Sequence, residues 1–270
     1  MRFLYPGCKY KALTFSYDDA CTQDRRLTAL FRQYGVLATF NVNSGDLGTK
    51  NWLDHGGFHV RFDRVTEEEF ADLYRGFEVA CHGSHHVGLT SNDRNRAEGD
   101  LAADVAKITR LTGITPRGYA YAGGPYDYRC PGILRRYGLC YGRTVEDTHD
   151  FSLPQIFELW HPTCHDRDDA LPGLVRRFTD SRLEEMQLLY IWGHSFELDK
   201  DDVDRWGNLE RRLEELSGRE DVWYATNLQI RDYVMATRAC TFDGEQLHNP
   251  TNRTIYYEHN GEMLTIGPQK

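Results

Sequence analysis

The chain alternates short apolar runs with segments whose apolar residues recur at helical spacing. Residues 11–19 (KALTFSYDD) form an apolar run that predicts a strand. Residues 24–34 place Leu27, Leu30 and Phe31 at helical spacing, and Gly35 stands where a helix C-cap belongs. Residues 36–42 predict a second strand, so the chain begins as a strand, helix, strand unit.

The same alternation continues for about 200 residues. Further strands are predicted over 77–80, 118–122, 139–143, 157–160, 188–192 and 222–225. Further helices are predicted over 66–74, 96–111, 131–137, 169–178, 209–216 and 228–239. Strands that alternate with helices indicate an α/β fold with a mostly parallel sheet, and about seven such units favour a closed or nearly closed β/α barrel.

Two segments depart from this alternation. Residues 43–62, with Gly45, Gly48, Gly56 and Gly57, predict a long polar loop that could wall a cleft. Near the end of the chain, 254–257 and 263–266 flank His259-Asn260-Gly261 and predict a β-hairpin. We therefore divide the chain into a barrel domain over 1–239 and a C-terminal β extension over 240–270, packed on the barrel or on a partner chain.

Composition narrows the functional classes. The chain is 40% hydrophobic and 27% charged, and its net charge of -9 with no Lys/Arg run argues against nucleic acid as a partner. No stretch has the length and apolar character of a membrane span or a secretory signal, so we expect no membrane partner and a cytoplasmic location. Seven cysteines without a CxxC pair indicate neither a zinc ribbon nor a complete disulfide framework, and we expect mostly buried thiols.

Candidate chemistry lies at two strand ends. Asp18 and Asp19 close the first predicted strand, where alternation turns one carboxylate to each side, so one can bind a metal while the other acts as a base. A solvated acidic turn would be the alternative for this pair alone. Residues 81–86 (CHGSHH) supply imidazoles after another strand, and His82, His86 and Asp19 form a set of two histidines and one carboxylate typical of hydrolytic metal sites. His85 is expected to be a supporting or surface residue.

Four ordered motifs together resemble one family. They are TFSYDD at 14–19, His82-x-x-x-His86, Arg117 ahead of Pro125-Tyr126, and Trp192-Gly193-His194 after an apolar strand. Their order and spacing, over about residues 11–239, resemble the polysaccharide deacetylase family, also called the NodB-homology or carbohydrate esterase family 4 enzymes.

This resemblance implies a fold and a set of roles. The fold is a distorted (β/α) barrel holding one divalent metal, usually zinc, with cobalt, nickel or manganese as alternatives. The implied metal ligands are Asp19, His82 and His86. The implied catalytic groups are Asp18 as general base, Arg117 as its orienting partner, the backbone N–H of Tyr126 as an oxyanion donor, and His194 as general acid.

The chain also departs from the family pattern. Ser16-Tyr17 separates Thr-Phe from the Asp pair, and eight residues, Gly118 to Pro125, stand between Arg117 and Tyr126. The residue that orients His194 stays open among His161, His165 and Asp166. Trp192, Trp160 and Tyr126 are candidates for contact with a sugar ring, with packing in the core as the alternative for Trp160.

These observations predict a metal-dependent hydrolase that uses a metal-bound water to remove acetyl groups from N-acetylated sugars of the N-acetylglucosamine type, in an oligosaccharide or glycoconjugate. An O-acetyl esterase or another non-peptide amide hydrolase on the same fold is the alternative. A catalytically silent metal- or carbohydrate-binding module is the alternative from another class. A carbohydrate substrate is the expected partner, and assembly into a homo-oligomer through the C-terminal extension stays open.

Overall fold

The computed structural model of the protein describes residues 1–55, 58–182, 184–200, 203–244 and 246–268; Gly56 and Gly57 of the predicted polar loop lie outside them. The strands of this part of the chain are β1 Arg2–Leu4, β2 Lys11–Asp18, β3 Ala38–Val42, β4 Trp52–His55, β5 Phe58–Arg61, β6 Glu78–Cys81, β7 Gly118–Ala120, β8 Tyr141–Arg143, β9 Cys164–His165, β10 Gln187–His194, β11 Val222–Tyr224, β12 Thr241–Phe242, β13 Leu247–His248, β14 Ile255–His259 and β15 Glu262–Ile266.

The helices follow the predicted order closely. They are α1 Asp24–Tyr34, α2 Glu67–Leu73, α3 Arg94–Thr112, α4 Cys130–Arg136, α5 Leu171–Asp180, α6 Arg205–Leu216 and α7 Asn227–Ala239. Gly35 ends α1 in the left-handed region at φ 64°, and Thr66 and Glu69 form the expected capping box of α2. Local end signals therefore set these helix boundaries.

One curled parallel sheet forms the centre of the fold. Its strand order is β8-β7-β6-β3-β2-β10-β9, and β11 pairs with the first half of β2. The second half of the same edge of β2 pairs with β3, from Phe15 opposite Ala38 to Asp18 opposite Asn41. The prediction of a distorted β/α barrel of about seven strands is confirmed.

The two faces of β2 have different surroundings. Leu13, Phe15 and Tyr17 join the apolar core that includes residues of α1. The residues between them point to the other face, where Thr14 Oγ1 donates to Asn227 at 2.9 Å and Ser16 Oγ accepts from Asn41 at 2.8 Å. Because side chains alternate along a strand, Asp18 also faces this polar interior of the sheet.

Two predicted elements differ from the structure. The predicted strand over 157–160 is a 3₁₀ turn, Phe157–Leu159, followed by a single bridge of Trp160 to Arg143. The predicted polar loop over 43–62 contains the antiparallel pair β4 and β5. Leu53 and Val60, which are paired across this hairpin, pack toward Phe196. The strands are only four residues long and are surrounded by polar residues, so the sequence pattern did not indicate them.

The C-terminal hairpin is confirmed. Strands β14 and β15 pair around Asn260 and Gly261, both at positive φ, and β1 pairs with β14 from the other side. The hydroxyl of Tyr233, on α7, donates to the carbonyl of Leu4 at 2.6 Å and accepts from the amide of Tyr256 at 3.0 Å. The hairpin therefore packs on the barrel, while the division of the chain at residue 240 stays a prediction.

All seven cysteines are free thiols, and four of them are buried, as expected. Among the described residues, no helix combines the length and the apolar character needed to cross a bilayer.

Candidate active site

The carboxyl ends of neighbouring strands bring the polar groups of the site together. Asp18 is the last residue of β2 and lies in register with Asn41 of β3 on one side and His194 of β10 on the other. His82 follows β6 directly, and Arg143 is the last residue of β8. In β/α barrels this edge is where reactive groups gather.

Asp18 is a buried carboxylate held by two donors. Nη2 of Arg143 donates to both of its oxygens, and Asn41 Nδ2 donates to Oδ1 at 2.8 Å. Burial by itself would raise the pKa of Asp18, but the charge of Arg143, followed by those of His82 and His194, holds that pKa well below its usual range. Asp18 is therefore ionised near neutral pH.

The prediction that Arg117 partners Asp18 is wrong. The side chain of Arg117 is 44% exposed and forms an ion pair with Asp232 at 3.1 Å. Arg117 precedes β7 and so lies at the amino end of its strand, opposite the edge that carries Asp18. Arg143 holds the carboxylate instead, and the sequence carried a signal for it, because a basic residue ended the predicted strand over 139–143.

Asp19, His82 and His86 form a compact group. Each offers one ligand atom, and these atoms lie within 4.8 Å of one another. Asp19 stands at φ 84°, a left-handed conformation that breaks the strand alternation. As a result both carboxylates face the imidazole of His82. Its Nε2 lies 3.7 Å from Oδ2 of Asp18 and 3.9 Å from Oδ1 of Asp19. The prediction that the two carboxylates face opposite sides of the strand is therefore wrong.

The protonation pattern of this group suits a cation. Nδ1 of His82 donates to the carbonyl of Ala120 at 2.9 Å, so the lone pair of the neutral ring is on Nε2. Burial lowers the pKa of His82 to about 4. Oδ1 of Asp19 is buried and accepts no hydrogen bond from any described residue, although Arg64 Nη1 lies 3.4 Å away. Two imidazole nitrogens and one carboxylate oxygen form a donor set that fits zinc and related divalent metals.

Two carboxylates on α3 fix the loop that carries the histidines. Asp104 accepts from the backbone N–H of His82 at 3.0 Å, and Asp100, one helical turn earlier, accepts from that of His85 at 2.9 Å. A Cβ added at Gly83 would lie 2.7 Å from Asp100 Oδ2, so this position requires glycine. The loop, and not a helical turn, brings His82 and His86 together, with ring centroids 4.8 Å apart.

Glu197 contacts His194, which answers the question that the sequence left open. Nε2 of His194 faces Asp18 Oδ2 at 3.8 Å, and Nδ1 lies 3.4 Å from Glu197 Oε2. Burial would lower the pKa of His194, but the Glu197 carboxylate beside Nδ1 and the charges of Asp18 and Asp19 raise it overall. Glu197 follows His194 by only three residues, yet no motif marks it in the sequence.

His165 supports Glu197 from behind. Its Nε2 lies 3.2 Å from Glu197 Oε2, and its Nδ1 lies 3.0 Å from Asp166 Oδ1. Burial opposes the charge on His165, but Asp166 and Glu197 outweigh it and raise its pKa to about 9. Glu197 is therefore held between two imidazoles. His161 lies elsewhere, with Nδ1 2.6 Å from Thr144 Oγ1.

The three predicted sugar-binding aromatics have different surroundings. Trp160 is 1% exposed and packs against Tyr141, Phe157 and Tyr190, so its prediction as a substrate contact is wrong. Trp192 is 7% exposed and donates from Nε1 to Asp147 at 2.7 Å. The structure therefore makes Trp160 part of the barrel core.

Tyr126 follows a turn that approaches the site at Gly123, where an added Cβ would lie 4.0 Å from His86 Cε1. Its side chain is half-buried, and its hydroxyl donates to Glu146 at 2.6 Å. Within the described residues, its backbone N–H donates no hydrogen bond. That amide is therefore available to a ligand. His85 is exposed and its Nδ1 lies 2.6 Å from Asp46 Oδ1, away from the His82 and His86 pair.

Solved structures with a similar fold include three that cover most of the chain. A Mycobacterium smegmatis protein assigned to the polysaccharide deacetylases matches with a TM-score of 0.62 and 18% identity, over 88% of this chain and 95% of that one. A Pseudomonas aeruginosa PAO1 protein with the same assignment matches with a TM-score of 0.60 and 15% identity, over 84% and 92%. PuuE allantoinase matches with a TM-score of 0.60 and 15% identity, over 88% and 94%. At these identities the likeness shows the fold alone.

Sequence comparison gives the family. No curated protein sequence matches the chain. The profile of the polysaccharide deacetylase family matches residues 6–142, which is just over half of the 270 residues and includes both the Asp pair and the His82 loop. The chain belongs to the polysaccharide deacetylase family.

Proposed function

We propose that the protein is a metal-dependent hydrolase that removes acetyl groups from N-acetylated sugars. One observation carries this proposal. A buried, ionised carboxylate, a group of potential metal ligands and an imidazole of raised pKa converge at one edge of the barrel. This combination supplies a base, the ligands for a Lewis-acidic metal and a proton donor, as metal-assisted amide hydrolysis requires.

Asp19, His82 and His86 would hold the metal. A divalent cation bound there would polarise the acetyl carbonyl and lower the pKa of a water molecule. The chain prepares these ligands in advance, because Ala120 fixes the tautomer of His82 and Asp104 fixes its backbone. Fixed ligand orientation of this kind typically improves metal affinity 10- to 100-fold.

Asp18 would act as the general base. Arg143 and Asn41 donate hydrogen bonds to its oxygens and keep it charged, while Oδ2 still faces both His82 and His194. Asp18, which would take a proton from the attacking water, therefore lies close to His194, which would donate a proton to the leaving amine.

His194 would act as the general acid. Amines leave only after protonation, so cleavage of an N-acetyl group depends on a donor beside the nitrogen. Glu197 favours the protonated form of His194, and this supports N-acetyl substrates over O-acetyl ones.

The backbone N–H of Tyr126 would donate to the carbonyl oxygen as negative charge develops on it. It follows Pro125 and Gly124, and the latter is at φ 94°. An amide donor in this role typically contributes about 3 kcal/mol to transition-state stabilisation.

Acetate release tests the proposal. Protein loaded in turn with zinc, cobalt, nickel or manganese is assayed on matched N-acetylated and O-acetylated sugars, from monosaccharides to short oligomers. Release from N-acetyl substrates supports the proposal, and release from O-acetyl substrates alone would assign an esterase. No release with metal bound would contradict both and favour another amide substrate or a binding role.

Two variants test whether turnover depends on Asp18 as the base or falls with the loss of any carboxylate charge on β2 or beside it. Asp18→Asn should retain the metal and lose turnover. Asp221→Asn is the matched control, because Asp221 pairs with buried Lys11 at the other end of β2, at 2.9 Å. Normal turnover by Asp18→Asn would exclude Asp18 as the base.

A further inference from the structure

A polar groove of about 480 Å³ opens beside His86. One wall is the loop that follows His86, and the other is the turn before Tyr126. The two walls approach closely at Gly88, where an added Cβ would lie 3.3 Å from the carbonyl oxygen of Ala122. The residues that give the groove its polar character are His85, His86, Thr90, Ser91, Asn92 and Arg96.

The groove has an unusual charge for this protein. None of the described residues that line it is acidic, although the chain carries 41 Asp and Glu residues and a net charge of -9. Arg96, which is exposed, is its one permanently charged lining residue within the described part of the chain. Among the described residues, the Arg96 guanidinium has no hydrogen-bond or ion-pair partner, whereas the Arg96 backbone N–H donates to Asp93 at 3.0 Å.

Neighbouring arginines show the contrast. In the adjoining depression on the other side of α3, Arg129 pairs with Asp127, and Arg136 lies 3.4 Å from Glu98. The acidic surface of the chain thus neutralises those two guanidinium groups within the chain. Arg96 keeps all of its donors for a ligand, and a guanidinium binds carboxylate and phosphate oxygens through two parallel hydrogen bonds.

We infer that this groove binds an anionic group on the acetylated substrate, with Arg96 as the residue that recognises it. The inference rests on the proposed function, since that function places the acetyl group beside the metal ligands, and one of these, His86, lines the groove. The substrate class is then an N-acetylated sugar that carries a carboxylate or a phosphate on the same or the adjacent ring. Thr90, Ser91 and Asn92 line the same groove, and their hydroxyl and amide groups suit contact with a sugar ring.

Two substrate pairs test this inference. The carboxylate pair is N-acetylglucosaminyl-glucuronic acid and N-acetylglucosaminyl-glucose. The phosphate pair is N-acetylglucosamine 6-phosphate and N-acetylglucosamine. Wild-type protein should show a KM at least about tenfold lower for the anionic member of one pair, as expected for one charge-assisted pair of hydrogen bonds. The pair that shows the preference identifies the anion.

Arg96→Ala should abolish that preference. Arg94→Ala is the matched control, because Arg94 is exposed two positions earlier in α3 but lines the adjoining depression with Glu98. It should retain the preference. Equal KM values for both members of both pairs in wild-type protein, or a preference that survives Arg96→Ala, would overturn the inference.

A binding measurement separates this inference from the proposed function. Calorimetric titration of the Asp18→Asn protein with the same four sugars does not depend on turnover. If no sugar releases acetate but the anionic sugars still bind about tenfold more tightly in an Arg96-dependent way, the groove is supported and the proposed reaction is wrong. Equal affinities would overturn the groove whatever the activity.

Discussion

Replacement of Arg143 provides the sharpest test of the site. Arg143 and Asp18 are both buried, at 0% and 2% exposure, and they form an ion pair across the interior of the barrel. Arg143→Met removes the cation and leaves Asp18 as a buried charge. Asp18→Asn does the reverse and leaves a buried guanidinium. The double variant removes both charges.

The size of each effect follows from the burial. Loss of one partner from a buried ion pair typically costs about 3–5 kcal/mol, because the remaining charge has no counter-charge and little water. Asn41, His82 and His194 contact the Asp18 carboxylate and moderate the cost of losing Arg143. We therefore expect each single variant to lose about 3 kcal/mol of the free energy of unfolding. The double variant should lose about 2 kcal/mol less than the sum of the two single losses.

Urea unfolding followed by tryptophan fluorescence measures these free energies. The measurement is made in excess chelator, so that metal binding does not contribute to stability. Arg117→Ala is the matched control, because its pair with Asp232 is on the surface and should contribute less than about 1 kcal/mol. The same four proteins, loaded with metal, are then assayed for acetate release, where Arg143→Met should be inactive and Arg117→Ala active.

Additive losses in the double variant would refute the coupling of Arg143 to Asp18. An inactive Arg117→Ala with a stable fold would restore the assignment that the sequence motif suggested, and the structural argument for Arg143 would then fail.

Three further predictions address the acid, the metal and the buried acidic residue of α1. Glu197→Gln should lower the pKa of His194 and move the basic limb of the kcat/KM profile to lower pH by about one unit, since the general acid must be protonated. The control Glu158→Gln, whose partner Arg135 is 2.6 Å away on the surface, should leave the profile unchanged. An unshifted basic limb in Glu197→Gln would contradict the role of Glu197. His82→Ala should lose bound metal in equilibrium dialysis, whereas His85→Ala should keep it; equal metal content in both would refute the ligand assignment. Burial raises the pKa of Asp24 to about 7, so the folded chain binds this proton more tightly than the unfolded chain does, and the stability of the wild type falls as pH rises from about 4 to about 7. In urea titrations, Asp24→Asn should therefore gain stability relative to wild type across that pH range. A stability difference that stays constant with pH would exclude the pKa shift.

The sequence by itself determined the order of the elements and most of the groups at the site edge. Helix ends such as Gly35 and the capping box of Thr66 and Glu69 are local, and their signals lie within a few residues of one another. A parallel barrel also forces strand ends to one edge, so Asp18, His82 and His194 were predictable as neighbours before any contact was known. These features depend on periodicity and chain direction.

Other features depended on tertiary structure. The hairpin of β4 and β5 is stable because Leu53 and Val60 pack on Phe196, a residue far away in the sequence. Trp160 follows a 3₁₀ turn and packs into the barrel core, so an apolar run there did not become a strand. In both cases the decisive contacts join segments that no local pattern connects.

The polar partners of the site were decided by the fold in the same way. Arg117 and Arg143 look alike as single basic residues, but one stands at the amino end of β7 and the other at the carboxyl end of β8, so only Arg143 reaches Asp18. Glu197 became the partner of His194 because the 3₁₀ turn Ser195–Asp199 folds it back toward the ring. Periodicity places residues along the chain, whereas pairing of buried charges depends on which strand ends meet in space, and only the tertiary structure determines that.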